Sequence, residues 1–184
     1  MTSDEQTLFI PVRFAVLTIS DSRSLEDDRS GALLADRIAA AGHTLAARDL
    51  TIDSIRRIRA VVRRWIAEPN IDAVITTGGT GFTGRDVTPE AIEPLFEKKM
   101  DGFSAVFHRV SFEKIGMSTI QSRATAGSAG STFIFCLPGS PGACRDAWDE
   151  ILVRQFDYRQ KPCNFVEIMP RLDEHLKRQK AKTR

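Results

Sequence analysis

The chain has 184 residues, 42% hydrophobic and 27% charged, with a formal net charge of +2. That length suits one domain with an ordinary core, and the composition excludes a disordered chain. A charge so near zero gives no global basic field for nucleic acid, and no apolar run is long enough to cross a bilayer.

Cys136, Cys144, Cys163, His43, His108 and His175 show neither Cys-x-x-Cys nor zinc-ligand spacing and read as structural or solvated. A sparse, odd set of thiols fits a reducing compartment. The start, Met1 to Gln6, is polar and acidic, the opposite of a signal peptide, so a cytoplasmic protein is expected.

Residues 1–12 read as an N-terminal arm in which Pro11 marks the end. Arg13 to Ser20 (RFAVLTIS) predicts a strand, and Ser22 to Asp28 a polar loop. Ser30-Gly31 opens a helix to about Ala41, with Gly42 as its C-terminal cap. Thr44 to Ile52 is a second strand. Asp53-Ser54 caps a helix to about Glu68, closed by Pro69, and Ile71 to Thr77 is a third strand. Helices over Pro89 to Lys99 and Gly102 to Ile115 follow, then a polar segment from Gly116 to Gly130.

Thr132 to Leu137 (TFIFCL) is a further buried strand. After Pro138-Gly139, Ser140 caps a helix with Pro141 in its first turn, reaching about Tyr158. The domain spans 13–169, and residues 170–184 form a charged, basic-ended tail expected to be solvated. Strands alternating with helices predict an α/β fold with a parallel sheet covered on both faces.

One stretch stands out. Strand Asp72 to Ile75 runs into Thr76-Thr77-Gly78-Gly79-Thr80-Gly81, then Arg85-Asp86, then Thr88-Pro89 as cap and first-turn proline of a helix. Strand, glycine turn and helix start together make an anion cradle, because glycines bring main-chain N–H groups close to a ligand. Asp86 beside such a cradle would repel an anion unless a cation lies between, which suggests Mg²⁺. In a parallel sheet the strand C-termini share one edge. The loops holding Ser20-Asp21, Asp53-Ser54, Thr77 to Asp86 and Pro138 to Ser140 therefore converge there, in an order that alternation leaves open. Asp53 taken alone reads first as a helix cap.

Gly79 to Gly84 satisfies G-x-G-x-x-G, yet four residues separate Gly84 from the helix-opening Pro89, and the motif follows the third strand. A dinucleotide-binding oxidoreductase is therefore disfavoured. The G-x-x-x-x-G-K-[ST] phosphate loop fails as well, since Arg85-Asp86 follows Gly84.

Thr77-Gly78-Gly79-Thr80-Gly81 with Arg85-Asp86-Val87-Thr88-Pro89-Glu90 resembles the signature of the molybdopterin-binding fold, the family of molybdenum cofactor biosynthesis protein B and molybdopterin adenylyltransferase. Ser20-Asp21, Asp28-Arg29-Ser30-Gly31, Ser122-Arg123 and Leu137-Pro138-Gly139-Ser140-Pro141 extend the likeness, from about Phe9 to Phe165. The resemblance implies a three-layer αβα domain that assembles as a trimer or a dimer of trimers. It implies Mg-dependent adenylylation of molybdopterin, with ATP as co-substrate and pyrophosphate released. The product would pass to a separate molybdate-insertion protein. By position, Asp53 and Asp86 match the catalytic, metal-holding acids. Gly78 to Gly81 match the phosphate turn and Arg85 a charge-offsetting cation. Ser20, Asp28, Ser122 and Ser140 match pocket-lining positions, and Asp21, Ser30, Gly31, Thr77, Arg123, Pro138 and Gly139 belong to the same matched motifs.

Overall fold

In the computed structural model residues 8–177 are described. Six strands form one sheet in the order β2-β1-β3-β6-β5-β4. They are β1 (Arg13–Ile19), β2 (Thr44–Thr51), β3 (Ala73–Thr77), β4 (Lys98–Lys99), β5 (Thr125–Ala129) and β6 (Thr132–Leu137). Pairs β1–β2, β1–β3 and β3–β6 are parallel, while β5 runs antiparallel to both β6 and β4.

The strand pleat sorts side chains into two cores. Phe14, Val16, Ala73, Ile75, Phe133 and Phe135 face α1 (Arg29–Ala40), α4 (Asp101–Ile115) and α5 (Pro141–Ala147). Ala15, Leu17, Ile19, Val74, Ile134 and Cys136 face α2 (Ile55–Ile66) and α3 (Thr88–Ile92). The result is a three-layer αβα sandwich with a mostly parallel sheet.

Several predicted elements change. The helix expected over Pro89 to Lys99 stops at Ile92, and a 3₁₀ turn Glu93–Leu95 and strand β4 replace the rest. Pro94 lacks the N–H that an α-helix interior needs. The polar segment Gly116 to Gly130 holds a 3₁₀ stretch, Gly116–Gln121, and then β5. The sequence TAGSA hides that strand because it has no large apolar side chain. Its Gly127 is required by packing, since a Cβ there would lie 2.5 Å from Cγ of Phe96. The last long helix carries a π-turn at Trp148–Leu152, continues as α6 (Val153–Gln155) and ends three residues short of Tyr158.

Cap assignments shift as well. Asp28, not Ser30, caps α1, its carboxylate accepting the Gly31 N–H. Neither Asp53 nor Thr88 acts as a side-chain cap. The α2 N-cap is Ser54, without a side-chain bond, and Thr88 is the first residue of α3. At the chain ends, the Phe9 ring packs at a tilt against His43, and Val12 donates its N–H to His43 Nδ1. Leu172 packs on the first core and His175 lies 3.2 Å from Glu97, while the tail beyond 177 and residues 1–7 lie outside the described residues. Among the described residues no helix is long and apolar enough to cross a membrane.

Candidate active site

Four loops leaving β1, β2, β3 and β6 meet at one sheet edge and enclose a pocket of about 860 Å³. Because β5 runs the other way, the segment entering it, Gly116 to Ser122, closes the far side. Of the residues expected from sequence, Ser20, Asp21, Asp53, Gly78, Gly79, Thr80, Gly81, Arg85, Asp86, Ser122, Pro138, Gly139 and Ser140 line this pocket. Asp28, Ser30, Gly31, Thr77 and Arg123 stand behind its walls.

The glycine turn is fixed by close approach. Gly78 has φ +106° and Gly79 φ +65°. A Cβ on Gly78 would lie 2.1 Å from the Ile19 carbonyl oxygen, and one on Gly81 2.8 Å from Asp86 Oδ2. Gly78 donates its N–H to the Leu137 carbonyl, so that amide is not free for a ligand. The Gly79 and Thr80 amides make no hydrogen bond among the described residues. Thr88 ties the turn from below, donating its hydroxyl to the Gly78 carbonyl at 2.8 Å.

Three acids face the pocket. Burial pushes the Asp53 carboxyl above its ordinary value, and the neighbouring Asp21 and Asp86 charges add to that, against the pull of Arg85. Asp86 goes the other way. Burial alone would raise it, but the Thr83 hydroxyl and amide, the Gly81 amide and the Arg123 charge together hold it below the usual carboxylate range. The Thr83 hydroxyl donates to Asp86 Oδ2 at 2.6 Å and the Thr83 amide at 2.9 Å. Arg85 pairs with Asp21, whose other oxygen accepts the Asp53 backbone N–H at 3.2 Å.

The residues behind the walls act as braces. Arg123 donates to the carbonyls of Gly81 at 2.8 Å and Asp86 at 3.0 Å, and pairs with Glu90. Its guanidinium is spent on the glycine loop rather than pointed at a ligand. Buried Asp28 accepts from the Thr18 hydroxyl and pairs with Arg48 at 3.0 Å. Ser30 donates to the Gly139 carbonyl at 2.8 Å, and Thr77 to that of Pro138 at 2.9 Å. Ser140 caps α5 through Ala143 N–H while lining the pocket.

Sequence reasoning missed Thr83, the anchor of Asp86, and Arg23, which donates to the Gly139 carbonyl. It also missed the wall of Phe107, Ser111, Ile115, Ser118 and Gln121. A Thr three residues before an Asp is a local bonding pattern that sequence does show. The wall depends on the reversal of β5, which no local signal marks. Within that wall the Ser122 Oγ is buried without a hydrogen-bond partner.

The cysteines are not positioned for chemistry. Burial pushes the Cys136 thiol up to about 12 and the Cys144 thiol up to about 11, so neither is a nucleophile at neutral pH. Cys163 is exposed and absent from the pocket lining.

A family model described as "Probable molybdopterin binding domain" matches residues 15–158. The chain is 48% identical to molybdenum cofactor biosynthesis protein B of Escherichia coli K12 over 163 residues, 89% of this chain and 96% of that one. It is 38% identical over 143 residues to a protein of Methanocaldococcus jannaschii named probable molybdopterin adenylyltransferase, spanning 74% and 85% of the two chains. A crystal structure of molybdenum cofactor biosynthesis protein B superposes with a TM-score of 0.81 at 34% identity, covering 90% of this chain and 98% of that one.

Proposed function

This chain belongs to the molybdopterin-binding domain family, and on that premise we propose that it adenylylates molybdopterin in molybdenum cofactor biosynthesis. The observation that carries this reading is the meeting of Asp21, Asp53, Asp86 and Arg85 with the Gly78–Gly81 turn in one pocket. The relative from Methanocaldococcus jannaschii, named for this activity, supports it. A volume near 860 Å³ lies toward the upper end for small-molecule sites, enough for a nucleotide beside a second ligand.

In the proposed reaction a terminal phosphate oxygen of molybdopterin attacks the α-phosphorus of ATP. A new P–O bond forms, the bond to the β-phosphate oxygen breaks, and the electron pair leaves with pyrophosphate. Such a transfer asks the protein for alignment and charge neutralisation, not for a nucleophile of its own. The Gly79 and Thr80 amides would bind phosphate oxygens, and Arg85 would meet charge on the bridging oxygens.

Magnesium fits this donor set. No group of three or more His, Cys, Asp or Glu side chains set to hold a metal occurs among the described residues. Mg²⁺, however, commonly takes only one or two carboxylates together with substrate phosphates and water. Asp53 and Asp86 would be those two, and a cation would relieve the Asp21 and Asp86 charge that adds to the burial raising Asp53. A bound ion would supply neutralisation of the polyphosphate. Asp86, held ionised by Thr83, is ready for that at any physiological pH.

The chain is further proposed to work in the cytoplasm as a trimer or a dimer of trimers, passing its product to a molybdate-insertion protein. Exposed Phe112, Ile115, Met117 and Ile120, at the end of α4 and in the turn after it, support self-association, because neighbouring apolar side chains on a surface mark contacts. Light scattering at micromolar concentration tests this, and a monomer would refute it.

The decisive assay mixes protein, molybdopterin, ATP and Mg²⁺ and follows adenylylated pterin and pyrophosphate. Both should appear in equal amounts. Tight pterin binding without either product would leave a binding protein and remove the catalytic reading.

A further inference from the structure

One ion pair joins two loops at the rim of the pocket, and it concerns the cation expected to meet the ligand. Arg85 pairs with one oxygen of Asp21, and the other oxygen accepts the Asp53 backbone N–H. Two other arginines lie close by, and both have backbone duties. Arg23 donates to the Gly139 carbonyl, and Arg123 holds Gly81, Asp86 and Glu90. Arg85 holds only a side-chain carboxylate among the described residues, and its own side chain is 72% exposed. A wet pair of this kind is weak and readily exchanged.

The choice of partner matters because the Asp53 carboxylate also lies within the field of this guanidinium. Asp86 is already bonded by Thr83, while the Asp53 carboxylate has no hydrogen-bond donor among the described residues and feels both other acids. An arginine lying on Asp53 would neutralise the acid best placed to receive a cation. Lying on Asp21, it leaves Asp53 open.

We propose that Asp21 is a positioning residue that holds Arg85 at the pocket rim and releases it to an incoming polyphosphate. This rests on the reading that the pocket binds phosphates. A phosphate presents the guanidinium with the same forked pair of oxygens as the carboxylate, so the exchange preserves the geometry of the contact. Asp21 keeps its second task throughout, fixing the start of the α2 loop through the Asp53 amide.

The test is calorimetry with tripolyphosphate in the presence of a chelator, which removes divalent ions. Four proteins are compared: the parent, Asp21→Asn, Arg85→Ala and the double variant. Asparagine keeps an oxygen for the Asp53 N–H and loses only the charge. Both side chains sit at the rim, so folding should be unchanged, and matching melting curves verify it. Asp21→Asn should bind tripolyphosphate roughly two- to fivefold more tightly than the parent, the range expected for freeing one exposed ion pair. In the Arg85→Ala background the same change should yield less than half that factor. Equal tightening in both backgrounds would mean that Asp21 acts only as a nearby negative charge, and would overturn the proposal, as would no tightening in the parent. Failure of all four proteins to bind in chelator would overturn this proposal, and failure again with Mg²⁺ in place of the chelator would overturn the phosphate reading as well.

Discussion

Gly79 and the Asp53 carboxylate occupy adjoining space so tightly that a methyl group on Gly79 would lie 2.6 Å from Asp53 Oδ1. The same methyl would lie 2.4 Å from the Thr88 hydroxyl. The glycine turn and the first acid of the pocket are thus set by one another, although 26 positions separate them in the chain.

Gly79→Ala is expected to fail on two counts. A side chain at φ +65° costs roughly 1–2 kcal/mol in backbone strain. The contacts with Asp53 and Thr88 must then open, so adenylylation should fall more than stability does. Denaturant titration beside the product assay separates the two, and a variant with near-parental turnover would contradict the packing argument.

Asp53 and Asp86 should respond to pH with opposite sign. The Asp53 carboxyl is raised in the folded state, so stability is lost as pH rises from its unfolded value to its folded one, and the loss persists above. Asp53→Asn should therefore gain melting temperature over the parent as pH rises from about 3 to 7, starting from the ordinary aspartate pKa of about 3.9. Asp86 is depressed, so its stabilising contribution is present above its unfolded value and fades as pH falls toward its folded one. Asp86→Asn should show its deficit at neutral pH and lose it in acid. Melting curves across that pH range decide both.

Both acids should matter more to turnover than to folding. Asp53→Asn and Asp86→Ala are each expected to lower the adenylylation rate on the order of 10²–10³, as removal of one main transition-state stabiliser does. Retention of near-normal rate in either would reassign its role.

Arg123 predicts a loop defect rather than a missing ligand contact. Arg123→Ala removes bonds to the Gly81 and Asp86 carbonyls and the pair with Glu90, and should cost about 1–3 kcal/mol. Arg123→Lys should rescue little, since an ammonium cannot reach two carbonyls and a carboxylate in one planar fork. Hydrogen exchange at Gly81 and Thr83 should quicken in both variants, and unchanged protection would rule the brace out.

Much of this site is legible in the sequence. The glycine cluster, the Arg85-Asp86 pair and the convergence of loops all follow from local pattern plus the geometry of parallel sheets. Local spacing alone makes Asp53 a cap, which it is not, because Ser54 takes that place without a side-chain bond, and only the family resemblance marks it as an acid of the site. The hidden parts are non-local. β5 lacks large apolar residues since Phe96 supplies the bulk above Gly127, and Arg123 reads as a ligand contact until its carbonyl partners are seen. Likewise, the Gly78 amide looks available in sequence and is taken by Leu137, a residue on another strand.

The reversed direction of β5 has a consequence for how this pocket can be altered. Strands that exit toward a ligand bring short turns with them, but a strand that enters from that side brings whatever precedes it, here α4 and its 3₁₀ extension. That segment is anchored at both ends by the sheet yet contributes no strand of its own between Asp101 and Ala124. Lengthening or trimming it should therefore retune ligand selectivity while sparing the strand ladder, which makes it the natural place to graft new specificity.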